Sequence, residues 1–340
     1  MKKYKLKHRL HLLVKSRKSI KSRRHKKSKT KPEKKQTINK RITKLPTNAQ
    51  IPKLIAPLKF NLKFENCELV LDFISSLKKV KKYTQIVNVD LREVIEIGDG
   101  AIAMLLSVIQ ELNENGIKVV GDKPKDKNCN AILEKSGFFR FVKTRISDEN
   151  LNSKNSILRT GHEKSSNSEL AVEIEKSMET IWGVKSRCPM LYGGVFEMIR
   201  NSCDHAFAPK SRISWHFAIN HSESDRAVKY AFVDNGKGII KSYLNGFWKN
   251  IVSLFNNNAD FLKEAFNQGI DSRTKLAWRG KGLPFIFELF EEGVIKNLVV
   301  ISNNVYLDFE NNIYKVIDRQ YDGTYYYWEI DTTCIKSNFE

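Results

Sequence analysis

An apolar run that ends at an acid and two glycines constrains the fold of this chain most. Residues 228–233 read Val-Lys-Tyr-Ala-Phe-Val, and Asp-Asn-Gly-Lys-Gly follows at 234–238. The run predicts a buried strand that ends at Asp234, and Gly236 and Gly238 let the backbone approach a ligand closely. A carboxylate in that position can accept a hydrogen bond from an amine such as that of adenine. Asn-Gly between apolar segments is also typical of a hairpin turn, so this motif alone leaves both interpretations open.

A second polar group lies on a helix predicted at residues 190–207. At about 100° per residue, four polar side chains share one face of this helix: Glu197, Asn201, Asp204 and His205. The opposite face carries Val195, Ile199, Ser202 and Ala206. Asn201 can give Mg²⁺ one neutral oxygen, and Glu197, one turn earlier, can act as a general base. A solvated polar face has the same spacing, so the helix alone does not decide between the two.

A third motif directly precedes a helix predicted at residues 283–292 and reads Arg279-Gly280-Lys281-Gly282-Leu-Pro. The backbone N–H groups of a glycine loop at a helix N-terminus suit phosphate oxygens. The Arg and Lys side chains of this loop add positive charge. Two glycines before a helix are a weak indication alone, and they gain weight as the third motif in a fixed order.

The positive charge of the chain is concentrated at its N-terminus. The formal net charge is +21 over 340 residues, and residues 1–50 hold 20 Lys or Arg against the single acid Glu33, a balance of +19. Residues 1–56 are therefore predicted to form a disordered basic tail. A polycation of this kind attracts nucleic acid or an anionic membrane surface. A solubilising tail without a dedicated partner has the same composition.

The rest of the chain has the composition of a globular protein, since hydrophobic residues make up 41% of the whole. Five scattered cysteines form no C-x-x-C pair, which indicates reduced thiols. No apolar run reaches the roughly 18 residues that a membrane-spanning helix needs. We therefore expect a cytoplasmic protein without a transmembrane segment.

Short strands and helices alternate in a first domain predicted at residues 57–146. Its predicted elements are a helix at 69–80, a strand at 86–91, a helix at 101–115 closed by Gly116, a strand at 117–120 and a helix at 130–137. A strand, a crossover helix and a second strand in this order predict a parallel sheet. Polar residues 147–168 are predicted to be a linker to a second domain at 169–335.

The second domain is predicted to combine helices with an antiparallel sheet. Its predicted helices are 169–182, 190–207, 241–255, 260–268 and 283–292, and its predicted strands are 215–219, 228–233, 297–302, 304–309 and 324–330. The charged turn at 221–226 joins the first two strands and makes them an antiparallel pair. The fold class expected for the whole chain is therefore α/β followed by α+β.

Two segments of the first domain carry a family resemblance. Residues 90–106 read Asp-Leu-Arg-Glu-Val-Ile-Glu-Ile-Gly-Asp-Gly-Ala-Ile-Ala-Met-Leu-Leu, and Leu-Glu-Lys-Ser-Gly-Phe-Phe follows at 133–139. They resemble a STAS domain, the module of anti-sigma-factor antagonists, whose corresponding loop commonly reads Asp-Ser-Ser-Gly and is phosphorylated on a serine. This chain has Gly98-Asp99-Gly100 there and no hydroxyl. The resemblance then implies either a fixed negative charge at Asp99 or a domain used only for docking.

The three motifs of the second domain, in this order, resemble the GHKL superfamily, which includes gyrase, Hsp90, MutL and histidine kinases. The likeness is nearest to the anti-sigma-factor serine kinases and implies a two-layer α/β sandwich of the Bergerat type. The resemblance implies that Glu197 is the base, Asn201 the Mg²⁺ ligand and Asp234 the adenine contact. It implies further that Gly280 to Gly282 form the phosphate loop and that Thr324 lies near the adenine. Asp204 and His205 complete the first motif, and Gly236 and Gly238 complete the second.

The resemblance implies a Mg²⁺-dependent ATP-binding protein that hydrolyses ATP slowly or transfers its phosphoryl group to a regulatory protein partner. A kinase and an ATPase of this superfamily share these residues, so the sequence leaves both open. The alternative is a non-catalytic signalling or scaffold module in which ATP is a structural ligand and residues 1–50 bind nucleic acid. A second copy of the chain is a further candidate partner.

Overall fold

The computed structural model describes residues 51–80, 84–140, 142, 156–161, 167–204, 215–244, 255–267 and 282–335, and within them the chain is mixed α/β. The helices are α1 Phe64–Lys79, α2 Asp99–Glu114, α3 Lys127–Lys135, α4 Asn167–Trp182, α5 Pro189–Asp204, α6 Ile239–Leu244, α7 Asn258–Asn267 and α8 Gly282–Glu291. The strands are β1 Lys53–Ile55, β2 Lys59–Phe60, β3 Ile86–Asp90, β4 Glu96–Ile97, β5 Lys118–Asp122, β6 Ser156–Gly161, β7 Trp215–Ser222, β8 Ala227–Asp234, β9 Lys296–Asp308 and β10 Ile313–Asp331. In this part of the chain, no helix is long and apolar enough to cross a membrane.

The N-terminal strands form a small parallel sheet in the order β1-β3-β5, beside a two-stranded parallel pair of β2 and β4. The parallel pairing of β3 with β5 confirms the prediction made from their crossover helix. That helix, α2, is followed by Gly116, whose φ of 78° lies in the left-handed region that favours glycine. The strand β1 lies within residues 1–56, the range predicted to be a tail, and pairs with β3.

A five-stranded antiparallel sheet in the order β6-β7-β8-β10-β9 dominates the C-terminal part. The pairing of β7 with β8 confirms the antiparallel prediction. The edge strand β6 lies within residues 147–168, the range predicted to be a linker, where it pairs with β7. The strand β9 runs through Asn303, whose φ is 56°, so one strand replaces the two predicted on either side of this residue.

Both faces of this sheet are buried. Helices α1 and α2 pack against β7, β8 and β10, and their apolar cluster includes Ala231 and Val233 of β8. The alternate residues Tyr230 and Phe232 are also fully buried, and α4 packs against the same strand. Because side chains alternate across a strand, the N-terminal helices cover one face of the sheet and α4 covers the other.

The start of α2 fits tightly against the sheet. A Cβ atom added at Gly100 would overlap the phenol of Tyr325, which is itself buried. The neighbouring Asp99 accepts a hydrogen bond from Asn220 Nδ2 at 2.9 Å, and burial raises the pKa of its carboxyl group. Farther along α2, Gln110 Oε1 lies 2.7 Å from the Nε2 atom of a buried histidine on β7. In this arrangement the loop at 98–100 contributes to packing between the N-terminal helices and the sheet.

Candidate functional site

A buried carboxylate at the end of β8 is the centre of a hydrogen-bond cluster. Asp234 is 5% exposed, and its Oδ1 atom accepts from the backbone N–H groups of Gly236 at 2.8 Å and Thr324 at 3.1 Å. Its Oδ2 atom accepts from Ser202 Oγ at 2.8 Å. The cluster therefore joins the ends of β8 and α5 to the middle of β10.

The environment of Asp234 acts on its ionisation in two directions. Burial raises the pKa of the carboxyl group, and the hydrogen bonds from Gly236, Ser202 and Thr324 oppose that rise. The Thr324 side chain is a fourth hydrogen-bonding group beside this carboxylate. Because an ionised carboxylate has about four lone-pair positions, a further donor such as the exocyclic amine of a purine would share an oxygen with one of these groups.

The glycines after Asp234 form a turn that leads into α6, which excludes a two-residue hairpin at this position. Gly238 has a φ of 81°, and a Cβ atom added there would lie 2.5 Å from Asn303 Nδ2. Asn303 donates to the Lys237 carbonyl at 2.8 Å and accepts from the Lys241 N–H at 3.1 Å. The glycine at 238 is thus required both by backbone conformation and by the neighbouring side chain.

The acid and the amide predicted on α5 lie beside the N-terminus of α8. Glu197 is fully buried, and its carboxylate lies 2.7 Å from the guanidinium of Arg200 on the next turn. A Cβ atom added at Gly282, the first residue of α8, would lie 3.1 Å from Glu197 Oε2 and 3.4 Å from Asn201 Nδ2. The absence of a side chain at 282 lets the helix start approach both groups, and the positive end of a helix favours a nearby carboxylate.

The structure therefore brings most of the described candidate residues into two adjoining groups. Glu197 and Asn201 lie against Gly282, whereas Gly236 and Thr324 both donate to Asp234. Ser202 directly follows Asn201 on α5 and bonds to Asp234, so the two groups are connected through consecutive residues of one helix.

Other candidates lie at or beyond the edges of the described ranges. Asp204 is the last residue of α5, and the structure describes its backbone only. His205, Arg279, Gly280 and Lys281 lie outside the described residues, so the basic part of the phosphate loop stays a prediction.

Several side chains that build this site are absent from the sequence-based predictions. They are Arg200 beside Glu197, Ser202 and Tyr321 on Asp234, and Ser302 and Asn303 beneath the glycine turn. Ser202 and Arg200 leave a usable signal in the sequence. Ser202 is a hydroxyl on the otherwise apolar face of the predicted helix, and Arg200 lies three residues after Glu197 on the same helix. The other three act through strand register and loop conformation, which a single sequence does not display.

The side chains of the site also limit which metal ion it can hold. Among the described residues, no group of three or more His, Cys, Asp or Glu is placed to hold a metal. The half-buried Asn201 carries an amide oxygen, which is a ligand type that Mg²⁺ accepts when phosphate and water supply the others. Asn201 is thus the described residue that fits a Mg²⁺ ion bound together with a polyphosphate.

Comparison with known proteins adds no family to these observations. Neither a scan against protein-family models nor a search of curated proteins finds a match to this chain.

Proposed function

We propose that this chain is a Mg²⁺-dependent ATP-binding regulatory protein with a STAS-like N-terminal domain and a GHKL-type C-terminal sandwich. The observation that carries the proposal is the convergence of four distant segments on Asp234 and Glu197. Residues 197–202, 234–238, 282 and 324 meet there through short contacts. The motifs that carry the family resemblance are thus close in space as well as ordered in the sequence.

Each residue has a chemical role in this proposal. Asp234 accepts a hydrogen bond from the adenine amine, and Asn201 gives Mg²⁺ one oxygen while the triphosphate and water give the rest. Glu197 takes a proton from the attacking water or hydroxyl group. The start of α8 at Gly282 directs backbone N–H groups toward phosphate. Mg²⁺, when bound, neutralises charge on the phosphates.

A second candidate function is a binding module that holds ATP without chemistry. The pairing of the fully buried Glu197 with Arg200 at 2.7 Å favours it, because an ion pair within α5 gives this carboxylate a structural role that needs no proton transfer. Both candidates need the same adenine and Mg²⁺ contacts, so they differ only in what Glu197 does.

Calorimetric titration with ATP and Mg²⁺ tests the binding step shared by both candidates. We expect Asp234→Asn to weaken ATP binding about tenfold or more, because an amide replaces a charged acceptor with a mixed donor and acceptor. Asp225→Asn is the matched control, since this carboxylate lies in an exposed turn and accepts from Ser222. Equal affinity in the unsubstituted chain and Asp234→Asn would show that Asp234 does not bind the base.

A single-turnover assay that separates free phosphate from phosphoprotein distinguishes the two candidates. Glu197→Gln should preserve ATP binding and slow turnover about 10²-fold or more if Glu197 is the base. Glu291→Gln, an exposed acid at the end of α8, is the control. ATP binding without turnover, in both the unsubstituted chain and Glu197→Gln, would identify the chain as a non-catalytic binding module.

A further inference from the structure

Tyr321 on β10 supports Asp234 from the side opposite Ser202. Its hydroxyl donates to the Asp234 carbonyl oxygen at 2.8 Å, and its side chain is 3% exposed within the cluster under α1 and α2. Burial raises the pKa of this phenol well above its usual range, so the hydroxyl keeps the proton that it donates. Asp234 is therefore held at its carbonyl by Tyr321 and at its carboxylate by Thr324, only three residues farther along β10.

The segment between these two contacts departs from regular strand structure. Pairing of β10 with β9 shifts register between Val316 and Tyr321 and again between Tyr321 and Thr324. Gly323 has a φ of 142°, and a Cβ atom added there would overlap the Asp234 carbonyl oxygen and lie 2.8 Å from the Tyr321 ring. We call residues 321–324 the β10 bulge. Because it supplies two contacts to Asp234, a displacement of the bulge moves both.

The β10 bulge also contacts α1 of the N-terminal part. Lys78 Nζ donates to the Asp322 carbonyl at 3.3 Å and lies 5.5 Å from the centroid of the Tyr321 ring. Lys78 is itself paired with Glu111 of α2 at 3.8 Å. One lysine thus links both N-terminal helices to the ring that holds Asp234.

We propose that Tyr321 is a positioning residue for Asp234 and that Lys78 fixes the position of the Tyr321 ring. Through these contacts, the N-terminal part of the chain determines how tightly the C-terminal site binds adenine nucleotides. The inference rests on the proposed function, since it assigns the regulation of the same site. By linkage, a partner that changes the position of α1 changes the affinity for nucleotide, and nucleotide changes the affinity for that partner equally.

Titration of the full chain with ATP and Mg²⁺ tests the inference. Tyr321→Phe keeps the ring and removes the hydroxyl, and we expect its dissociation constant to rise about fivefold. Lys78→Met should raise the dissociation constant about threefold, because one hydrogen bond to the β10 bulge and one cation–π contact are lost. Lys78→Arg keeps both the charge and the hydrogen-bond donors, so this variant should bind ATP as tightly as the unsubstituted chain. Lys79→Met removes an exposed lysine one position along α1 and should have no effect.

Three further measurements separate positioning from general loss of structure. Inorganic tripolyphosphate with Mg²⁺ carries no base, so its affinity should be the same in Lys78→Met, Tyr321→Phe and the unsubstituted chain. The double variant should bind ATP no more weakly than Tyr321→Phe, because both changes act on one ring. Thermal unfolding without ligand monitors whether each variant is folded.

The outcomes distinguish this inference from the function on which it rests. ATP affinity that is unchanged in Tyr321→Phe and Lys78→Met overturns the inference and leaves the proposed function standing. Equal losses for ATP and tripolyphosphate, or failure of Lys78→Arg to restore affinity, also overturn it. If the unsubstituted chain binds no ATP, the proposed function fails and the inference fails with it.

Discussion

At the scale of single residues, Asp234 shows how this site depends on groups that are not themselves expected to touch a ligand. A buried carboxylate is costly unless hydrogen bonds compensate the lost hydration. Here two backbone N–H groups and the Ser202 hydroxyl provide that compensation. The donors also fix the direction of the carboxylate, so a change in any of them should alter both stability and ligand binding.

Replacement of Ser202 by Ala tests this dependence. We expect the free energy of unfolding to fall by about 1–2 kcal/mol, because a buried charged acceptor loses one donor. The affinity for ATP should fall as well, because the Asp234 carboxylate is no longer held in one direction by the Ser202 hydroxyl. Ser222→Ala is the matched control, because Ser222 donates to the exposed Asp225 at 2.6 Å. Urea unfolding and calorimetric titration measure the two effects, and equal results for both variants would contradict the role given to Ser202.

Gly238 is a second residue whose identity can be tested against a control in the same chain. Gly238→Ala places a side chain at a φ of 81° and 2.5 Å from Asn303. Gly116→Ala places one at a φ of 78° with no atom within 4 Å. The control should lose about 1 kcal/mol of stability from backbone conformation alone. We expect Gly238→Ala to lose about 2 kcal/mol or more, and losses of equal size would show that Asn303 moves freely.

At the scale of helices and strands, the sequence predicts those elements whose apolar residues recur at a regular spacing. The helix α5, the pair β7 and β8, and the parallel pair β3 and β5 follow from runs of apolar residues with clear ends. The candidate site is predictable to the same degree, because Glu197, Asn201 and Asp234 lie on those elements.

Elements that depend on tertiary pairing are harder to predict. The strand β6 has few apolar residues and is defined by its backbone pairing with β7. Residues 313–323 of β10 mix charged and apolar side chains, and their strand is paired with β9 through shifts of register. The β10 bulge overlaps the end of this segment, which explains why Tyr321 is absent from the sequence-based predictions.

The contact between α4 and β7 predicts a dependence on pH. His221 is buried and lies 2.8 Å from Thr180 Oγ1, and burial lowers the pKa of its imidazole against the opposing effect of Glu173. Lys176 also lowers this pKa, and Glu223 raises it. As the pH falls below about 6.5, the unfolded chain binds a proton that the folded chain does not. The free energy of unfolding should therefore decrease as the solution is acidified.

Urea unfolding at about pH 7.5 and about pH 5.5 measures this dependence. His221→Gln keeps a polar side chain that does not titrate, so its loss of stability between the two pH values should be smaller than that of the unsubstituted chain. An identical loss in both proteins would assign the pH dependence to other groups.

At the scale of the whole molecule, the two parts of the chain share one apolar core. The strand β8 buries alternate residues on both faces, and α1 and α2 provide the cover for one of them. A sheet face of this size is not stable in water when uncovered, since large exposed apolar patches lead to association. The sequence contains this information in part, because the run at 228–233 has apolar residues on both faces, with Lys229 as the exception. It does not reveal which segment forms the cover.

This shared core predicts that the two parts remain associated after the chain between them is cut. A protease site inserted between residues 143 and 155 places the cut between the two parts. The resulting fragments should elute together in gel filtration, whereas the C-terminal fragment expressed alone should aggregate. Separate elution of two folded fragments would show that the contact of α1 and α2 with the sheet is weak.

Gly100→Ala tests whether that association depends on the close fit of α2. The added methyl group overlaps the Tyr325 phenol, although alanine is itself favoured within a helix. A lower melting temperature of the intact chain and weaker fragment association are therefore the expected results, in spite of the better helix propensity. Gly116→Ala, at the other end of the same helix and facing open space, should leave the association unchanged. If both variants associate like the unsubstituted fragments, the sheet tolerates a shift of α2, and the link from α1 through the β10 bulge to Asp234 would then have to operate without a rigid N-terminal support.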